Sequence, residues 1–485
     1  MGRVCSCMRK YWLIYPLVLL VFGLAICLIL DKGRDLRPPA AASPTAAAQA
    51  QGAPSSQPAP LWSSLVANAQ TPLSRLFIQL IVIVLAARGM GRLVSRIGQP
   101  AVVGEMFAGI LLGPSLLGWV WPGGFHVIFP PTSLETPQML SQIGVCLFLF
   151  AQGMELDTSH LRQRASTAVM VSHISMIFPY FLGVAAAFFL YPELGMPGVS
   201  FTAFALFMGI AMSVTAFPVL ARIIQERNLA QTPLGATALT CAAVDDVTAW
   251  TALALVVAVV QAGNLAAAGM SLALLLIFVC FMMFAVKPFL ARRLRFADND
   301  PRPKSGFMAA VLAFMFVCAL ATQTAGIHAL FGSFLAGIVM PRHGKMVEYL
   351  KLRIENFSSI FLLPIFFAYT GLRTQVGLLN DAGGWLLCAG LIAIATLGKL
   401  GGSMAAARAT GMGWRDSFSL GALMNTRGLM ELIALIIVYD MGVLSRRIFT
   451  MLVLMALATT FLTGPLLTLA ERRKPKAVLA AEPVA

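Results

Sequence analysis

Charge is what this 485-residue sequence lacks most. Asp, Glu, Lys and Arg make up 11% of the residues, whereas soluble globular domains carry about 25%. The hydrophobic share is 59% and the mean hydropathy is +0.83. A soluble protein of this length could not bury so much apolar surface, so the composition excludes soluble, disordered and fibrous proteins.

The cysteine and histidine patterns that hold metals are also absent. The eight cysteines form no Cys-x-x-Cys or Cys/His spacing, and the five histidines do not cluster along the chain. Most of the cysteines lie singly in apolar runs, where we expect them to behave as small hydrophobic residues. We therefore predict that the protein is not an enzyme and carries no cofactor.

Long apolar runs are what the sequence has instead. They are about 20 residues long and do not alternate with polar residues, which predicts membrane-spanning helices and argues against a transmembrane β-barrel. The predicted fold is an all-α polytopic membrane protein with about 13 core transmembrane helices and one extra N-terminal helix. The predicted core spans are 73–93, 100–119, 139–155, 166–190, 200–224, 233–259, 264–288, 306–325, 327–341, 357–372, 384–408, 415–439 and 446–470.

Composition divides the chain into four predicted segments. Residues 1–30 are predicted to be a transmembrane anchor or a signal, and 31–72 an Ala/Pro/Ser-rich linker. Residues 73–470 then form the membrane domain, and 471–485 a short basic tail.

The net charge of +15 indicates how the chain crosses the membrane. In a soluble protein such an excess would suggest binding to nucleic acid, but most of the 35 Lys and Arg residues here fall in loops on one side of the predicted spans. Because basic loops stay in the cytoplasm, that side and the C-terminus are predicted to be cytoplasmic. We expect an integral protein of a bacterial inner membrane, in contact with the lipid bilayer and with no nucleic-acid partner.

The span order predicts an internal repeat. Spans four to six and spans eleven to thirteen are seven apart, an odd number, so the two sets cross the membrane in opposite directions. Inverted repeats of this kind are common in secondary transporters, where the binding site lies between broken helices. We therefore expect inverted repeats with crossed broken helices.

Two adjacent aspartates, Asp245 and Asp246, lie at the midpoint of span six. A charged residue at that depth is costly, and intramembrane carboxylates usually mark an ion or proton pathway. Burial and mutual repulsion both disfavour the charged form, so such a group can exchange a proton for a metal cation. The pair is predicted to hold a transported monovalent cation or a proton.

Lys399 is the basic counterpart, placed in apolar span eleven. One interpretation is that its ammonium group snorkels toward the cytoplasmic surface. The more economical interpretation is an ion pair with Asp245 or Asp246.

Span five has its own interruption. Pro218 removes a backbone donor and disfavours a helical conformation just before it. Ser213 and Thr215 precede it, and their oxygens are able to satisfy the freed backbone or to bind a cation. A simple proline kink is the alternative.

Span twelve carries polar residues at the matching place. Asn425, Arg427 and Glu431 interrupt its apolar run together with a glycine. Arg427 and Glu431 are four apart, so they share a helical face and are expected to pair. The sequence allows two interpretations of these residues: an internal structural ion pair, or a half-helix terminus that faces the binding site.

Span two has the small-residue spacing, Gly104 to Gly109 among others, that favours close helix packing.

Several ordered motifs resemble one known family. The segments that carry the resemblance are Gly98-Gln99-Pro100 with 103–105, Gly109 and Gly113-Pro114, then 213–222, 243–246, 364–368 with Gly371-Leu372, and 425–428 with Glu431. Together they are similar to the monovalent cation:proton antiporter-2 family over about residues 73–470.

The resemblance implies a thirteen-span antiporter fold, in which a six-helix core moves against a dimerisation domain. It implies that Asp246 is the cation ligand and that Asp245 pairs with Lys399, an arrangement usually linked to electrogenic exchange. We therefore expect a homodimeric antiporter that exchanges Na+ or K+ for H+ by alternating access, with Thr215 and backbone carbonyls completing the oxygen site. A cation channel or a membrane-embedded sensor of the same fold is the alternative, and the sequence leaves Na+ and K+ both open.

Overall fold

The computed structural model describes residues 2–33, 68, 71–97, 99–155, 158–229, 232–261, 265–297, 305–326, 328–341 and 345–472. Most of the predicted linker and all but two residues of the predicted tail lie outside these residues. Within them, the regular secondary structure is helical throughout.

The principal helices are numbered here in chain order. They are α1 Gly2–Gly33, α2 Pro72–Arg96, α3 Ala101–Leu112, α4 Leu117–Val120, α5 Pro122–Ile128, α6 Glu135–Glu155, α7 Thr158–Leu194, α8 Phe201–Ser213, α9 Phe217–Glu226, α10 Pro233–Gln261, α11 Leu265–Phe281, α12 Lys287–Ala297, α13 Ser305–Thr324, α14 Ala329–Val339, α15 Lys345–Phe357, α16 Leu363–Arg373, α17 Ala382–Ala409, α18 Trp414–Met424, α19 Leu429–Asp440 and α20 Arg446–Arg472. The wider-turned π-helical segments Met282–Val286 and Ser358–Leu362 continue α11 into α12 and α15 into α16.

The length and apolarity of these helices confirm a polytopic membrane protein. In the described part of the chain, ten helices are long and apolar enough to cross a bilayer. Two bent pairs, α5 with α6 and α18 with α19, each suffice for one further span, with bends of 71° and 42°. The shorter apolar helix α14 occupies the place of predicted span nine. The count of thirteen spans stays a prediction.

The helices pack as two groups. In the first group, α7 contacts α8, α10 and α17, and α17 contacts α18 and α20. In the second group, α3 contacts α2 and α16, α6 contacts α14 and α16, and α13 contacts α14. The first group contains the helices of the two predicted repeats, and the second contains helices of the other core spans.

Two glycine crossings hold the second group together. A Cβ atom on Gly109 of α3 would lie 2.2 Å from the carbonyl oxygen of Phe367 on α16, so only glycine fits this approach. A Cβ atom on Gly337 of α14 would lie 2.1 Å from the carbonyl oxygen of Phe150 on α6. The predicted close packing at Gly109 is therefore present and is matched by a second close approach at Gly337.

The extra N-terminal helix packs on the first group. The ring of Phe22 on α1 contacts Phe178 and Phe181 of α7 edge-to-face, with centroid distances of 6.0 and 5.1 Å. The helix that precedes the core spans therefore lies against the repeat that contains the paired aspartates.

Candidate ion-binding site

The first break interrupts span five between α8 and α9. Helix α8 begins after Ser200, whose hydroxyl caps the Ala203 amide, and it ends at Ser213. Residues 214–216 are not helical, and α9 begins at Phe217 with Pro218 in its first turn. Pro218 is favourable there because the N–H groups of a helix's first turn have no acceptor within the helix. The N–H that proline lacks would therefore have made no helical hydrogen bond. The chain is thus broken just before the proline, as the sequence predicts.

The second break interrupts span twelve between α18 and α19. Gly428 precedes α19 with φ of 146°, a backbone conformation that residues with a side chain rarely adopt. Asn425 caps the end of α18, and its amide group donates to the carbonyl oxygen of Thr459 on α20 at 3.3 Å. The glycine and the polar side chains together allow the helix to stop and restart within the membrane.

The two breaks cross and bond to each other. The amide of Ala216 donates to the carbonyl oxygen of Thr426 at 3.0 Å. The hydroxyl of Thr215 shares its one proton between the carbonyl oxygen of Met424, at 3.0 Å, and Asp245 Oδ2, at 2.8 Å. Four half-helix ends therefore meet in one place: the C-termini of α8 and α18, which carry partial negative charge, and the N-termini of α9 and α19, which carry partial positive charge.

Lys399 reaches this crossing from α17. Its ammonium nitrogen lies 2.8 Å from Asp245 Oδ2 and donates to the carbonyl oxygen of Ser213 at 2.6 Å. The side chain is 0% exposed, so it does not snorkel to the surface. A lysine placed this way neutralises one carboxylate and the C-terminal end of α8 together.

Two hydroxyl groups also hold Asp245. Ser172 of α7 donates to Oδ1, and Thr215 donates to Oδ2 at 2.8 Å. Ser175, one helical turn after Ser172, donates to the Ser172 carbonyl at 2.9 Å and lies 3.5 Å from Oδ2 and from Lys399 Nζ. Ser172 and Ser175 were missed by sequence reasoning, although two serines three residues apart in an apolar span already mark one polar helical face.

Asp246 has an opposite environment. It is fully buried, yet neither carboxylate oxygen has a hydrogen-bond partner among the described residues. The backbone N–H of Phe217, at the N-terminus of α9, lies near the carboxylate but does not form a hydrogen bond with it. A buried carboxylate without donors is costly, and the arrangement leaves Asp246 uncompensated where it compensates Asp245.

Two expected ligands have other partners here. The Thr215 hydroxyl bonds to Asp245 and to Met424, so it stabilises the lysine-bound aspartate and the crossing rather than Asp246. The Ser213 hydroxyl donates within its own helix to the Ile210 carbonyl, and only its backbone carbonyl reaches the site, through Lys399. Sequence spacing placed both residues near the break but gave no information on which atom each would bind.

Arg427 and Glu431 lie at the second break. Arg427 donates to the carbonyl oxygens of Ala211 and Met212 near the end of α8, and its Nη1 lies 3.4 Å from Glu431 Oε2. Both side chains are 0% exposed. The expected i, i+4 pair is present, but the guanidinium group also joins the two breaks.

The overall arrangement has a recognisable architecture. In the described ranges, no group of three or more His, Cys, Asp or Glu side chains could hold a metal ion. A polytopic bundle with crossed broken helices around a buried carboxylate has the architecture of a secondary transporter.

Comparison with known proteins identifies the family. The chain belongs to the sodium/hydrogen exchanger family, whose transmembrane model matches residues 80–470. It is 42% identical over 388 residues to a protein named Na+/H+ antiporter NhaS4 from Synechocystis sp., covering 80% of this chain and 95% of that relative.

Eukaryotic relatives are longer. The chain is 37% identical to Cation/H+ antiporter 19 of Arabidopsis thaliana and 31% identical to K+/H+ antiporter 1 of Saccharomyces cerevisiae. Each match covers 82% of this chain but only 50% and 46% of the plant and yeast proteins, respectively. This chain spans about half the length of those two relatives.

A solved structure shares the fold. The sodium proton antiporter MjNhaP1 from Methanocaldococcus jannaschii superposes with a TM-score of 0.61 at 13% identity, covering 82% of this chain and 99% of that one. The family and the crossed-helix fold predicted from the sequence are thereby confirmed.

Proposed function

We propose that this chain is a monovalent cation/proton antiporter that exchanges Na+ or K+ for H+ by alternating access. The observation that carries the proposal is the Asp246 carboxylate, which is fully buried and has no hydrogen-bond partner in the described part of the chain. Relatives named as Na+/H+ and K+/H+ antiporters support the same class of transported ions.

Asp246 couples the two ions by competition. A protonated carboxylate is neutral and tolerates burial, whereas a charged one needs a cation beside it. The site is thus occupied by a proton or by a metal cation, and not by both. If both occupied forms cross the barrier and the empty charged form does not, each turnover exchanges one ion for the other.

Asp245 and Lys399 tune this competition. The pair neutralises itself through the 2.8 Å contact, so Asp246 experiences little net charge while the pair is intact. When a cation arrives, its positive charge is close to Lys399 and weakens the contact with Asp245. Loss of a proton from Lys399 at that step would make exchange electrogenic.

Other cation ligands are expected from the first break. Pro218 has no N–H, so the carbonyl oxygen of Val214 lacks the donor that an unbroken helix would supply. Free backbone carbonyls are oxygen ligands of the kind that bind hard cations. They would add to the Thr215 and Ser213 oxygens, whose role as cation ligands stays a prediction.

Orientation and assembly extend the proposal. The concentration of Lys and Arg in loops on one side supports a cytoplasmic C-terminus in a bacterial inner membrane. The second helix group, with its glycine crossings, is the natural static scaffold, and we propose that it forms the homodimer interface within the lipid bilayer while the first group moves.

The test is transport in proteoliposomes that contain a pH-sensitive dye. Adding Na+, K+, Li+ or Rb+ against an imposed proton gradient should release protons with the wild-type protein. Asp246→Asn should abolish the response because it removes the exchangeable charge. The exposed Asp416→Asn, at the start of α18, is the matched control and should retain exchange.

Two results would contradict the proposal. One is wild-type exchange by Asp246→Asn. The other is ion flux that proceeds without proton movement, which would instead indicate a channel.

A further inference from the structure

A second buried carboxylate, Glu431, shares the unusual condition of Asp246. It lies in the first turn of α19 and is 0% exposed. Neither of its oxygens has a hydrogen-bond partner in the described part of the molecule. Its contact with Arg427 Nη1 is 3.4 Å, an ion-pair distance without a well-formed hydrogen bond.

Arg427 does not serve Glu431 as a structural partner would. Its two terminal nitrogens donate to the carbonyl oxygens of Ala211 and Met212, and its Nε has no partner among the described residues. A buried ion pair offsets the loss of hydration only when geometry is good and the remaining lone pairs are bonded. Here they are not, so the charged form of Glu431 is only partly compensated.

Both protonation states of Glu431 are nevertheless tolerable. The charged form has the Arg427 guanidinium and the N-terminus of α19 beside it. In the neutral form, Arg427 keeps its two carbonyl acceptors on α8, so no isolated charge is left behind. Asp245, by contrast, is bonded to Lys399 and to the hydroxyl groups of Ser172 and Thr215.

Glu431 and Asp246 each lie at a half-helix N-terminus of the crossing. Asp246 faces the N-terminus of α9, and Glu431 belongs to the N-terminus of α19. These are the two positive half-helix ends of the crossing. Each therefore has one buried carboxylate without a bonded donor.

The surrounding charges are few. Helix α19 packs against α8, α10 and α20. Helix α8 has no charged residue, α10 contributes Asp245 and Asp246, and α20 has charged residues only at its two ends. Lys399 on α17 and Arg427 supply the positive charge that acts on Glu431.

We propose that Glu431 is a second proton-exchanging carboxylate of the transport cycle. One proton binds Asp246 as the cation leaves, and another binds Glu431; both are released on the other side when the next cation binds. Two protons then move against one monovalent cation, with a net transfer of one positive charge. This inference rests on the antiport function proposed above and assigns the second proton to Glu431 rather than to Lys399.

The test measures the coupling ratio. In proteoliposomes with fixed gradients of cation and pH, the membrane potential at which net flux stops gives the number of protons per cation when that number exceeds one. One-for-one exchange moves no net charge and is identified by a flux that does not respond to the potential. We expect a ratio of two for the wild type and of one for Glu431→Gln. The exposed Glu348→Gln on α15 is the matched control and should keep a ratio of two.

Infrared difference spectroscopy provides a second readout for the case in which Glu431→Gln does not fold. Adding the cation to the wild type should remove two protonated-carboxyl bands. Glu431→Asp retains the carboxylate and should shift one of these bands while leaving the other in place.

Three outcomes would overturn the assignment: a wild-type ratio of one, an unchanged ratio in Glu431→Gln, or an unshifted spectrum in Glu431→Asp. In each of them wild-type exchange persists, so the antiport function itself would stand. Absence of any coupled exchange by the wild type would instead remove that function.

Discussion

The two breaks have the same geometry but differ in charge. At the end of α8, Lys399 donates to the Ser213 carbonyl, and Arg427 donates to the carbonyls of Ala211 and Met212. At the end of α18, the carbonyl of Met424 accepts from the neutral hydroxyl of Thr215. Of these two negative half-helix ends, the first receives two full positive charges and the second a hydroxyl group.

The difference shows how a repeat becomes a transport site. The backbone supplies two crossed breaks, and each offers a positive N-terminus to a buried carboxylate. Side chains from other spans then decide which carboxylates are compensated. Asp245 is compensated by Lys399, whereas Asp246 and Glu431 remain without bonded donors.

The largest effect on stability should come from Arg427→Met. This change removes the cation that joins both breaks and leaves two buried carbonyls and Glu431 without it, which costs about 3–5 kcal/mol. Thermal unfolding in detergent should show a markedly lower midpoint or loss of the folded protein. Arg222→Met, at an exposed pair with Glu226, is the control. Equal unfolding midpoints for Arg427→Met and Arg222→Met would mean that the stability of the two breaks does not depend on the charge of Arg427.

Lys399→Met should have a smaller effect. Asp245 keeps the hydroxyl groups of Ser172 and Thr215, so we expect a loss of about 1–3 kcal/mol. Thermal unfolding in detergent should show a midpoint between those of Arg427→Met and the wild type. A midpoint equal to that of the wild type would contradict the pairing of Lys399 with Asp245.

Thr215→Val should have the smallest effect on stability of the three. It removes the hydroxyl that bonds both to Asp245 and to Met424, with a loss of about 1 kcal/mol. Thr251→Val, whose exposed hydroxyl bonds only within α10, is the matched control and should melt like the wild type. If Thr215 were instead a cation ligand, its replacement would alter cation affinity more than stability.

Much of the architecture follows from local features of the sequence. The apolar runs define the helices because a membrane requires about 20 apolar residues in each span. Pro218 and Gly428 define the breaks. Proline restricts the backbone and lacks an N–H, whereas glycine permits a positive φ that other residues rarely adopt. Asp245, Asp246, Lys399, Arg427 and Glu431 stand out because charge is costly inside the bilayer.

The partners of these charges required the tertiary structure. Ser172 and Ser175 lie some 70 residues before Asp245, and only the packing of α7 on α10 brings them together. Ala211 and Met212 precede Arg427 by more than 200 residues and bind it through backbone carbonyls that no side-chain motif records.

The sequence by itself determined the membrane location, the breaks and the set of buried charges. Each of these depends on the cost of burying a residue, which is a property of that residue and its near neighbours. Only the tertiary structure decided that Asp245 is held by three groups while Asp246 and Glu431 have no bonded donor. Hydrogen bonding depends on distances of about 3 Å between distant segments, and those distances exist only once the helices have crossed.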